Sequence, residues 1–99
     1  MEIILNPNQV IRRGERHAHF YIMQAVLMTL HEVYQSIPAP SMSGILDSAT
    51  SDSIMAFQEL SAIPMTGHMD KHTWKHIALH YPLAVNLQMN RDSLRASPR

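Results

Sequence analysis

The 99-residue sequence contains no cysteine. Disulfides, thiolate catalysis and cysteine-ligated zinc are excluded together, while the redox compartment stays open, because exported domains often lack cysteine too. Net charge is absent as well, with eight acidic residues against eight basic ones. A balanced chain has no footprint for nucleic acid or an anionic membrane surface, so neither is expected as a partner. Nowhere does the sequence hold the roughly 18 consecutive apolar residues of a membrane span. The opening Met1-Glu2-Ile3-Ile4-Leu5-Asn6-Pro7 has no basic stretch leading into a long apolar one, so an export signal is not expected.

What remains is an ordinary globular composition, 45% hydrophobic with only three glycines. A chain of this length supports one core and no second independent domain. Its seven histidines make it distinctly cationic below about pH 6, because an unperturbed imidazole titrates near 6.5.

Residues 1–11, with the turn Asn6-Pro7-Asn8, read as an irregular lead-in. Phe20, Met23, Leu27, Leu30 and Tyr34 then recur at steps of three and four, and Val26 and Val33 widen the stripe. The spacing predicts a first helix that starts near Gly14 to Ala18 and stops before Ile37-Pro38-Ala39-Pro40. A second helix is expected from Ser48 to Leu60, capped by Asp47, with Ile54, Phe57 and Leu60 on its apolar side. Asp70 caps a third, which carries Thr73, Trp74, Ile77, Ala78 and Tyr81 and is expected to end at Tyr81-Pro82. Residues 83–99 read as a flexible, largely polar tail.

Both later helices are approached by the same pattern. Ser43-Gly44-Ile45-Leu46-Asp47-Ser48-Ala49-Thr50 and Thr66-Gly67-His68-Met69-Asp70-Lys71-His72-Thr73 share small hydroxyl, glycine, any residue, large apolar, aspartate, two further residues, threonine. Glycine permits a tight turn, the apolar residue just before the cap can staple onto the following helix, and aspartate accepts the free amides of the first helical turn. Gln24 and Gln58 lie beside core positions, where a buried amide needs partners, so they are expected to pin a loop. Trp74 fits the helical stripe and is expected in the core.

Arg13-Gly14-Glu15-Arg16 with Phe20, Met23-Gln24 and Leu27, then Gly44-Ile45-Leu46 with Thr50, Ile54 and Phe57-Gln58, then Ile63-Pro64-Met65-Thr66-Gly67 with Asp70 and Thr73-Trp74, resembles the peptidoglycan-binding domain family over about Arg12 to Tyr81. The resemblance implies an all-α fold, a compact three-helix orthogonal bundle over residues 12–82. It also implies a wall-anchoring role without catalysis, and a location at the cell wall or outside the cell. Domains of this family typically accompany a catalytic cell-wall hydrolase domain, a possible partner here. The chain departs from the family in its first loop, which lacks the usual Asp-Gly, aromatic and second glycine, and at His17, where a glycine is common.

Loops usually carry specificity, so the expected ligand contacts are Ser43, Gly44, Thr66, Gly67 and His68. No cofactor is expected. His72, His76 and His80 fall at four-residue intervals, a spacing that can hold zinc, but the glutamate of an H-E-x-x-H motif is missing. His72 and His76 are therefore expected on a solvated helix face, as adventitious metal ligands at most, and His80 near a helix C-terminus. No converging carboxylate pair or activated nucleophile is visible, so an enzyme is not expected. The alternative function, from another class, is a protein-interaction module that kept the scaffold and lost the wall.

Overall fold

The computed structural model describes Leu5 and residues 8–96, with side chains described as far as Met89. In chain order it contains β1 (Val10–Ile11), α1 (Phe20–Val33), α2 (Ser48–Leu60), β2 (Met69–Asp70) and α3 (Lys71–Ala96). The three expected helices are present, with α2 at the expected bounds and α1 starting a little later than its glycine suggested. The architecture is helical with one small sheet, since β1 pairs antiparallel with β2 in the register Val10 to Asp70 and Ile11 to Met69.

That pairing corrects the reading of residues 1–11 as an irregular lead-in. Val10 and Ile11 form a strand, and Leu5 and Ile11 are both buried in the core. The segment then continues along the first loop. Gly14 N–H donates to the Leu46 carbonyl at 2.7 Å, Leu46 N–H donates to the Glu15 carbonyl at 3.0 Å, and Arg16 bridges to Ile45. One extended stretch thus holds the lead-ins of both later helices, and its backbone groups find partners there instead of water.

The apolar stripe of α1 supplies Phe20, Met23, Val26, Leu27 and Leu30 to the core, facing Ile54 and Phe57 of α2 and Trp74, Ile77 and Ala84 of α3. Trp74 is a core residue, as its spacing suggested. Leu46 and Met69, the large apolar residues just before each capping aspartate, are fully buried and anchor the lead-ins. Leu60, expected on the apolar side of α2, is instead 48% exposed, because it occupies the last turn where the helix leaves the core.

The third helix does not stop at Pro82. It runs through that proline to Ala96, so part of the expected tail is helical. Proline costs a helix one backbone hydrogen bond and crowds the preceding turn, and packing offsets this: Ala84 is fully buried one residue further on from Leu83, and Gln88 Nε2 donates to Glu32 Oε1 of α1 at 3.1 Å. Residues 97–99 of the expected tail lie outside the described residues. The molecule measures 52 × 26 × 22 Å, and a helix of this length, about 39 Å at 1.5 Å per residue, is too long to lie across either short axis.

Helix α2 ends in a compact turn. Ile63 N–H donates to the Gln58 carbonyl at 3.0 Å and Ala62 N–H to the Glu59 carbonyl at 3.1 Å, the paired bonds of a Schellman ending. Ala62 occupies its left-handed position, with φ of 56°. An L-residue with a Cβ there costs roughly 1–2 kcal/mol that glycine avoids. Ala62→Gly is therefore expected to raise stability by about 0.5–1 kcal/mol, after its larger unfolded-state entropy is set against the relieved strain. Urea denaturation checks it, and a lower midpoint would show that the turn carries no strain.

Candidate functional site

The two repeated lead-ins are built the same way, each around a buried glutamine of the helix before. Gln24, on α1, is fully buried. Its Oε1 accepts the Gly44 amide at 2.8 Å. Its Nε2 donates to Thr50 Oγ1 at 2.9 Å, to the Ile45 carbonyl at 3.1 Å and, more weakly, to Ser43 Oγ at 3.4 Å. Gln58, on α2, repeats this one element later. Its Oε1 accepts the Gly67 amide at 3.0 Å, and its Nε2 donates to Thr73 Oγ1 at 3.0 Å, Thr66 Oγ1 at 3.1 Å and the His68 carbonyl at 3.4 Å. The sequence pointed to loop pinning for both amides. It did not show that they grip corresponding atoms.

Each aspartate then caps its helix. Asp47 Oδ1 accepts the Thr50 amide at 3.0 Å, and Asp70 Oδ1 accepts the Thr73 amide at 2.8 Å. Asp47 has more company: Ser43 Oγ donates to its Oδ2 at 2.9 Å, and Ser41 Oγ donates to the same oxygen. The Ser41 hydroxyl above all, opposed by burial and then aided by the Thr50 and Ser43 donors, lowers the Asp47 carboxyl from the ordinary 3.8 to about 2. Ser41 gave no signal in the sequence, because it falls outside the repeated pattern.

Both glycines take backbone angles that L side chains rarely adopt, φ of 79° at Gly44 and 72° at Gly67. Their surroundings differ. A Cβ at Gly44 would meet the Tyr21 ring at 2.7 Å, whereas one at Gly67 would meet Ser51 Oγ at 2.6 Å. Tyr21 lies over the first loop and remains 55% exposed. Ser51, in the first turns of α2, is buried and donates to the Gly67 carbonyl at 3.0 Å, which ties the second loop to the helix that the first loop introduces.

The five expected contact residues lie in these two loops, two in the first and three in the second, with most of their polar groups spent. Gly44 and Gly67 are buried and give their amides to the glutamines. Ser43 Oγ accepts from Ile45 N–H at 3.2 Å and donates to Asp47, and Thr66 Oγ1 accepts from His68 N–H at 3.1 Å and from Gln58. Thr66 is nevertheless exposed and His68 half-buried. Met42 and Met65, which immediately precede Ser43 and Thr66, are 47% and 51% exposed. Tyr21, Met42 and Met65 are thus outward groups that the spacing argument missed, since none of them belongs to the repeated pattern. An open groove of about 440 Å³ lies elsewhere, along α3, lined by Ala78, Tyr81, Pro82, Val85 and Asn86.

The histidines divide. His72 is exposed and His76 half-buried, their rings edge to face with centroids 4.6 Å apart. His80 leaves the expected stripe: its ring meets Phe57 at 5.5 Å and Tyr34 at 6.3 Å, and its Nδ1 is buried without a hydrogen-bond partner. Nor does it end a helix, because α3 runs on to Ala96. Beside the first loop, burial and then the neighbouring His19 hold the His17 imidazole below its ordinary range. Among the described residues no three histidines, aspartates or glutamates are grouped to hold a metal ion, and no helix is long and apolar enough to cross a membrane. Comparison of the chain with family models, curated proteins and solved structures gives no match.

Removing either clasp leaves a buried glycine amide unpaired, at about 1–3 kcal/mol for the group stranded, and also empties the side-chain volume. Gln24→Ala and Gln58→Ala are each expected to cost about 3 kcal/mol in chemical denaturation, and values under 0.5 kcal/mol would mean that water replaces the amide without penalty.

The Asp47 carboxylate contributes through its charged form. Because its folded value lies below the unfolded one, that contribution is complete above about pH 5 and is lost as the pH falls from about 4 through about 2. Asp47→Asn retains an N-cap but has no such titration. The stability difference between the two proteins is expected to shrink across that window, and parallel curves down to pH 2 would contradict the assignment.

Proposed function

We propose that the chain is a non-catalytic binding module that anchors to bacterial cell-wall peptidoglycan. The observation that carries this reading is the repeated lead-in, small hydroxyl, glycine, buried apolar residue, capping aspartate and threonine, gripped each time by a glutamine of the preceding helix. It shares Gln24, Gly44, Thr50, Gln58, Gly67, Asp70 and Thr73 with the residues that give the sequence its resemblance to wall-binding domains. The two loop aspartates are used as caps and not as a catalytic pair: both oxygens of the Asp47 carboxylate are held by hydrogen-bond donors, and Asp70 caps α3.

The contact surface in this reading is the outward side of the two loops. Tyr21 offers an apolar ring with a polar rim, suited to the face of a sugar or to a peptide stem, with Met42 beside Ser43 and with Thr66 and His68 on the second loop. Binding at Ser43, Gly44 and Gly67 would be to atoms already committed to the fold, so these residues shape the surface more than they touch a ligand.

A second reading has its own support. Leu79, Leu83 and Leu87 follow one another at four-residue steps on α3 and are 62%, 58% and 47% exposed, a row that favours a protein partner over a polysaccharide.

Co-sedimentation with purified peptidoglycan sacculi, with chelator present, separates the two. The wild type is expected to pellet saturably, Tyr21→Ala combined with His68→Ala to lose at least about tenfold in affinity, a loss of roughly 1.4 kcal/mol, and Leu83→Asp to pellet as the wild type does. Retention of the wild type in the supernatant on several wall types would end the wall-binding reading.

A further inference from the structure

We propose that His72 and His76 form a two-imidazole site for a divalent transition metal ion on the first turns of α3. The two residues stand four apart on a regular helix and so share one side of it. Their rings already lie close, with centroids 4.6 Å apart and planes at 78°. Two imidazoles that bind one ion at about 2.1 Å, with an angle between right-angled and tetrahedral, have ring centres roughly 4.6–5.3 Å apart. The ring separation therefore needs little change, and the rings have to turn out of their edge-to-face packing to bring one nitrogen of each onto a shared ion.

The donor set decides the class of ion. Imidazole nitrogens suit zinc, nickel and copper, whereas calcium and magnesium take oxygen ligands. The surroundings oppose a cation weakly. Lys71 and Lys75 are exposed, so their charges are screened over about 8–10 Å, and the helix N-terminus carries a partial positive charge. Two nitrogen–metal bonds outweigh these for copper and nickel, which bind nitrogen donors most strongly. Two protein ligands leave further coordination positions to solvent, which makes this an open site, not a closed structural one.

The other adjacent pair contrasts with it. The His17 and His19 ring centroids are 5.6 Å apart, and His17 Nδ1 accepts the His19 backbone amide at 3.1 Å, so one of its two nitrogens is already occupied.

Titration of the untagged full chain with nickel chloride in a calorimeter tests the site. The wild type is expected to bind one Ni²⁺ per chain and to show a higher thermal midpoint in its presence, because an ion that binds only the folded state stabilises it. Loss of outer partners alone weakens metal sites about 10- to 100-fold, so His72→Asn and His76→Asn are each expected to weaken binding at least tenfold while keeping the helical circular dichroism, and His17→Asn to leave it unchanged. The electron paramagnetic resonance spectrum of the Cu²⁺-loaded wild type, which requires no variant, is expected to show coupling to two nitrogens. Absence of saturable binding by the wild type, undiminished binding in both variants, or loss of binding in His17→Asn would overturn the proposal.

Discussion

A primary amide offers two hydrogens and an oxygen on one rigid plane, and the fold uses that inventory completely at two places. At Gln24 and again at Gln58, the oxygen takes a glycine amide while the nitrogen is surrounded by a threonine hydroxyl, a backbone carbonyl and a further hydroxyl. Two hydrogens face three acceptors, so the longest contact at each site is the shared or weakest one. The orientation of each amide follows from its surroundings, because only an oxygen can face the glycine N–H and only the nitrogen can face the carbonyl. Both glutamines are fully buried, and in that environment the alternative to these bonds is a desolvated polar group with nothing to pair with.

The consequence is serial. Helix α1 grips the lead-in of α2, and α2 grips the lead-in of α3, so each helix fixes where the next begins. Ile54 and Ile77 occupy corresponding positions, and the same step from Gln58 arrives at Tyr81. The third helix therefore has no glutamine where the first two have theirs, and the series stops there. The N-terminal stretch completes the arrangement from the other side, with Ile11 on Met69 and Arg16 on Ile45. Each lead-in is held by a side-chain amide on one side and an extended backbone on the other. The residues between them, Leu46 and Met69, are driven into the core by their apolar surface.

Much of this was legible in the residues because it is local. Helical periodicity, capping aspartates and paired glycines depend on neighbours a few positions away, and the helix starts at Ser48 and Lys71 follow from them. What was not legible depended on distant partners. Val10 and Ile11 have no strand signal of their own, and their pairing exists only because Met69 and Asp70 present an edge. Pro82 is a sound stop signal in isolation, and here it is overridden by burial of Ala84 and the bond from Gln88 to Glu32. His80 reads as part of a solvated stripe by spacing alone, yet Phe57 and Tyr34 receive its ring. Candidate contacts suffered in the same way. A small hydroxyl beside a glycine reads as a ligand-binding turn until the donors and acceptors within the turn are counted, and Ser43 then proves occupied by Asp47 and Ile45.

The two lead-ins are alike in their backbone and unlike in their cover, and this bears on any ligand. At Gly44 the space that a Cβ would need belongs to the half-exposed ring of Tyr21, whereas at Gly67 it belongs to the buried hydroxyl of Ser51. An aromatic face in solvent can meet an apolar surface, while a hydroxyl already donating to a carbonyl within the fold cannot. The two loops therefore present chemically different surfaces, although the sequence repeats. If the loops recognise one ligand, the first contributes its apolar contact and the second contributes through Thr66 and His68, whose side chains reach solvent where Gly67 does not. The repeated pattern supplies the frame, and the residues standing outside it, Tyr21 above all, give the two loops different surfaces.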